Sequence, residues 1–200
     1  MTMSHALDAG DPARIIGSDV GRVALATGII AVLAALALAL LFIVGGAFGR
    51  ANDVLNAAIG VLSAILAVVV YRSLGGPPAL LALALGGAVV TVIGSWLVVT
   101  GVTGFQLAGF VSAIGFALIG AWLVGALALG PLGESLSPAL AKVGMVAGGL
   151  MLLGLIGIGG VAMGIDSAAD TPWWLWLYGI GWLGTYVAYP AWCLLVARSA

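Results

Sequence analysis

Arg50, Asn52, Asp53 and Asn56 open the second apolar segment of this sequence and form its densest group of polar side chains. A carboxylate three residues from a guanidinium can pair with it, and at a membrane surface the two could assist chemistry on a lipid-linked substrate. Asp53, Asn56, Gly60 and Ser63 continue at i, i+3, i+7 and i+10, so one stripe of a helix runs polar-to-small from the surface inward. Two readings of the stripe stand side by side. In the first, Asn52 caps a helix beginning at Asp53, whose carboxylate then favours the positive helix end, and the deeper residues bond to neighbouring helices. In the second, the stripe lines a polar vestibule that contacts a ligand.

A second group lies on the last apolar segment, where Tyr178, Trp182, Thr185, Tyr186, Tyr189 and Cys193 share one broad face. Pro190 interrupts it, supplies no amide for the carbonyl of Tyr186, and predicts a kink or local opening. The face suits either helix packing or an apolar cavity for a lipid-like or quinone ring.

Other chemistry is poorly supplied. His5 is the one histidine and sits near the N-terminus, which removes bis-histidine haem, His-based zinc and a Ser-His dyad from the apolar segments. Lys142 is the one lysine and falls at the mouth of a segment, where a mid-membrane Schiff base is not expected. No charged residue lies near the centre of any segment, which disfavours proton coupling. Asp166 and Asp170 offer two carboxylates without the further oxygens of a calcium loop, and Glu134 reads as a solvated turn charge. Cys193, the single cysteine, has no partner within the chain. Neither a cofactor nor a metal is therefore expected. A near-neutral net charge of -1 and the lack of a basic run argue against nucleic acid.

The elements that position these residues are membrane helices. With 64% hydrophobic and 6% charged residues, the chain lies outside the soluble range of roughly a quarter charged. Six segments approach or exceed the roughly 20 apolar residues needed to cross a bilayer: 23–45, 53–71, 79–101, 106–130, 140–164 and 174–197. The fold class is thus all-α, a polytopic six-helix bundle over 22–200 preceded by a flexible tail, 1–21. The first segment is too long for a signal-peptide core and follows Asp8, Asp11 and Asp19, so it is expected to be retained. Arg14, Arg22, Arg72, Lys142 and Arg198 fall on one side and Arg50 on the other, which predicts that both termini are cytoplasmic. Trp173, Trp174 and Trp176 anchor the last helix at the outer interface.

Packing within lipid must come from close backbone approach, because apolar side chains gain nothing by leaving it. Gly87, Gly94 and Gly101 recur at heptad spacing, and Gly144/Gly148 and Gly160/Gly164 have the spacing of close helix contacts. These faces could pack within the bundle, form a homo-oligomer or dock a larger complex. Pro78-Ala79-Leu80 and Pro138-Ala139-Leu140 hint at a two-helix repeat, but strings of this composition also arise by chance.

Phe48-Gly49-Arg50-Ala51-Asn52-Asp53 and Tyr189-Pro190-Ala191-Trp192 followed by Arg198 resemble features of six-span bacterial membrane proteins with no assigned activity. The resemblance covers about a quarter of the chain. It implies the six-helix architecture and the importance of Asn52, Asp53, Tyr189 and Pro190, and nothing catalytic. The expectation is a non-enzymatic accessory or lipid-binding component of a membrane complex, with membrane lipids as partners. The alternative is a transporter or channel for a small neutral solute.

Overall fold

The computed structural model describes residues 17–200. Six helices in it are long and apolar enough to cross a membrane: α1 Ser18–Ile43, α2 Ala47–Leu74, α3 Pro78–Val99, α4 Phe105–Ala128, α5 Pro138–Ala162 and α6 Trp173–Ser199. No strand occurs among the described residues. Each helix packs against the next in sequence, and α6 returns to α1, so the six form a closed ring. The most buried of them is α4, which also touches α2 and α6.

The side-chain distribution is that of a molecule solvated by lipid. The buried positions of α1 are Val20, Gly21, Ala24, Thr27, Gly28, Ala31, Ala34 and Ala37, nearly all small. Its large residues point away, with Leu36 55% and Ile29 48% exposed. In water that pattern would leave a large apolar surface unburied. In a bilayer it places small residues where backbones meet and large ones against acyl chains. The class defined here is a helical multi-pass membrane protein.

Several boundaries differ from those read from sequence. Residues 1–16 of the expected tail lie outside the described residues, and Ser18–Gly21 already belong to α1. Helix α2 starts at Ala47, not at Asp53. Gly45 and Gly46, with φ of 78° and 65°, turn the chain back within the three-residue connection 44–46. Nothing from Ala47 onward then breaks the helix, so Asn52 lies within it and caps nothing.

At the far end of α5, Gly164 has φ of 63° and terminates the helix, so it is no half of a packing pair with Gly160. The turn between α4 and α5 carries an unforeseen one-turn helix, Pro131–Ser135. Ser137 then caps α5 by accepting a hydrogen bond from the Leu140 amide at 3.3 Å. Helix α6 contains a π-helical turn, Gly184–Ala188, immediately before Pro190. That is where the missing proline amide loosens the ladder.

Of the other glycines expected on packing faces, Gly101 has φ of 71°, sits in the α3–α4 turn and meets nothing within 4 Å, whereas the rest pack internally. A Cβ on Gly87 would meet the Gly115 carbonyl of α4 at 2.7 Å, and one on Gly94 would strike Ser112. Gly144 makes room for the indole edge of Trp192, Gly148 lies against the Gly120 carbonyl, and Gly160 lies against the Phe110 ring. These five glycines are therefore committed to contacts within the bundle. Gly149, by contrast, faces open space.

Candidate functional site

One face of the bundle gathers the start of α1, the end of α6, Arg22, Arg72, Lys142 and Arg198; Arg50 lies toward the other. Near that other face, α2 turns Asn52, Asp53 and Asn56 inward, at 2%, 8% and 5% exposure. Tyr186 reaches them from the π turn of α6. The Asn52 amide donates to the Ala34 carbonyl of α1 at 2.9 Å and to the Tyr186 hydroxyl at 3.4 Å. Tyr186 donates to Asn56 Oδ1 at 2.9 Å, and the Asn56 amide donates to Asn52 Oδ1 at 3.0 Å. The three side chains thus close a ring of hydrogen bonds, each both donor and acceptor. Such a ring is self-reinforcing, because every bond polarises the next.

Asp53 stands beside this ring without joining it. Its carboxylate has no side-chain hydrogen bond and no ion pair among the described residues, where the one ion pair joins exposed Arg22 and Asp19 at 3.8 Å. Arg50 is exposed and does not reach it, so the expected Arg50–Asp53 pair is absent among the described residues. Asp53 borders a cavity of about 20 Å³ enclosed by α1, α2, α4 and α6, together with Phe105, Ser112, Phe116, Trp182 and Tyr186. A space of that size holds about one water-sized particle.

Deeper along α2 the stripe divides. Gly60 faces Thr91 of α3, whereas Ser63 shares a 2.9 Å hydrogen bond with the Tyr189 hydroxyl of α6. Below that pair Leu66 and Ala67 are fully buried, and apolar packing takes over. The aromatic face of α6 is also turned inward. Phe110, Tyr178, Trp182 and Tyr186 form a ladder of edge-on contacts with centroids 4.8, 5.4 and 6.4 Å apart, and Tyr189 stacks on Trp192 at 6.1 Å. Each such pair contributes about 0.5–1.5 kcal/mol beyond area burial. Tyr178, Tyr189 and Cys193 of this face are buried against protein, whereas Trp182 and Tyr186 border the small cavity beside Asp53.

Two features went unread in the sequence. Asp166 crosses from the α5–α6 loop to cap α4, accepting from the Gly104 amide at 2.6 Å and the Leu107 amide at 3.1 Å. The carboxylate expected to be at most a weak cation ligand is thereby committed to a helix N-terminus. Replacing Asp166 with alanine is expected to cost about 1 kcal/mol and to speed amide exchange at Gly104 and Leu107. Unchanged exchange there would show that the cap contributes nothing.

The second is an apolar groove of about 590 Å³ between α2 and α3, floored by Ala64 and Ala88 and walled by Ile65, Val68, Val89 and Ile93. Its single charged border is Arg72, exposed and without a carboxylate partner among the described residues. The groove continues past Val92 and Ile93 into a second hollow of about 470 Å³ beside Trp96 and Val102. It therefore follows the outward side of α3 across the bundle.

No family model, curated protein or solved structure matches the chain.

Proposed function

We propose that this protein is a non-catalytic, lipid-holding component of a bacterial cytoplasmic membrane, with both termini on the cytoplasmic side. The observation that carries this reading is the α2–α3 groove, apolar along its length and tipped by Arg72. An acyl chain fits the groove. The guanidinium at its end supplies bidentate donors for a phosphate. Four of the five basic residues among the described positions share that face, which by the positive-inside rule is the cytoplasmic leaflet, where anionic lipids concentrate. The favoured occupant is therefore an anionic phospholipid of that leaflet. With the glycine faces used internally, docking into a larger complex has to employ the large exposed side chains.

Native mass spectrometry after mild extraction tests this reading. The wild type is expected to retain anionic phospholipid above its share of the source membrane. Arg72→Ala should lose about 1 kcal/mol of that preference, a several-fold drop in retained lipid. Lipid retained only in membrane proportion, and equally by both proteins, would remove this reading. Solute flux in liposomes, wild type against Asn56→Ala, would then address the other expectation, passage of a small neutral solute.

A further inference from the structure

The cavity beside Asp53 is a separate feature from the lipid groove, and acceptors predominate in it. Both Asn52 amide contacts and the Tyr186 hydroxyl proton are committed to the Ala34 carbonyl and the hydrogen-bond ring. One of the two Asn56 amide protons serves that ring too. The N-terminus of α4, whose Phe105 borders the cavity, is already capped by Asp166. No Lys, Arg or His lines the space. What remains is two Asp53 carboxylate oxygens, the free lone pairs of the Asn52 and Asn56 carbonyl oxygens, one spare Asn56 amide proton and the Ser112 hydroxyl, so that acceptors outnumber donors. Phe105, Phe116 and Trp182 contribute aromatic side chains to the wall.

A carboxylate that is more than nine-tenths buried is costly to keep charged and takes up a proton unless a positive partner meets it. Among the described residues the protein provides none. We infer that the cavity bounded by Asp53, Asn52, Asn56 and Tyr186 is a binding site for one compact monovalent cation, an alkali ion or ammonium. The volume of about 20 Å³ admits an ion of water-like size and excludes choline. Divalent transition metals are disfavoured, since no group of three His, Cys, Asp or Glu side chains occurs among the described residues. Neutral amide and hydroxyl oxygens with a single carboxylate are instead the donor set that replaces the hydration shell of a monovalent ion.

The test is equilibrium binding of radioactive sodium to the purified full chain in a choline chloride buffer, with lithium, potassium and ammonium as competitors. The expected result is saturable binding approaching one ion per chain, displaced by at least one competitor and not by further choline. Stronger displacement by ammonium than by potassium would identify ammonium as the ion the site prefers; the reverse would identify an alkali ion. Asp53→Asn, which keeps the side-chain shape, should weaken binding by about tenfold or more by removing the charge. Tyr186→Phe leaves that carboxylate in place and should weaken it only a few-fold, which covers the case in which Asp53→Asn does not fold. No saturable binding or displacement above the choline background in the wild type would overturn the inference. So would undiminished binding in folded Asp53→Asn. Lipid retention at Arg72 does not enter either result.

Discussion

Leucine in place of Gly120 is expected to force α4 and α5 apart and to lower the stability of the bundle by about 3 kcal/mol. A Cβ at Gly120 would stand 2.7 Å from the Gly148 carbonyl oxygen and 2.7 Å from Met151 Cβ. The relation is reciprocal, since a Cβ at Gly148 would stand 2.7 Å from the Gly120 carbonyl oxygen. Neither obstacle includes the free end of a long side chain that could swing away, so a backbone must move. Moving it sacrifices dispersion contacts along the whole crossing, and in lipid there is no hydrophobic gain to offset the loss. The measurement is the folded fraction during titration of micelles with a denaturing detergent. Gly149→Ala on the same helix provides the control, because its Cβ would meet nothing within 4 Å and the helix gains propensity. Equal stability of Gly120→Leu and Gly149→Ala would show that the close crossing is not what holds these helices.

Asn52→Ala is expected to cost about 1–2 kcal/mol, a large value for one polar side chain inside a membrane bundle. The substitution removes both Asn52 amide contacts and the acceptor for Asn56, so two members of the ring lose partners at once. Tyr186→Phe alone removes the bond to Asn56 and the acceptor for Asn52. Because the bonds form one closed ring, the double variant should cost clearly less than the sum of the two single losses. A thermodynamic cycle on the same detergent titration gives the coupling. Strict additivity would mean that the three side chains act independently and that the ring is incidental geometry.

The same residues show how far the sequence could be read. Six helices were legible because hydropathy over about 20 residues survives any arrangement of neighbours. The inward stripe of α2 was legible because helical period alone sets which residues share a face, and Asp53, Asn56, Gly60 and Ser63 are all buried. The start of α2 was misplaced because Asn52 beside Asp53 imitates a cap, whereas two left-handed glycines upstream had already turned the chain. The role of Asp166 was hidden because its partners lie 59 and 62 residues away, beyond any local pattern. The groove escaped for a related reason. Ala64 and Ala88 read as ordinary small residues until α2 and α3 lie side by side and leave space above them.

The seam between α1 and α6 bears on how this molecule is made. Gly28 lies against Leu194 and Cys193, Gly21 against Ala200, and the Ala34 carbonyl accepts from an amide itself tied to Tyr186 of α6. During synthesis α1 enters the bilayer first and α6 last of the six, so α1 waits with one flank open while four other helices are inserted. Its small residues along that flank offer lipid a smooth surface in the meantime. Assembly is thus completed at its oldest edge by its newest piece, and a chain truncated before Trp173 would leave the small-residue flank of α1 uncovered and the Asn52 ring without its tyrosine.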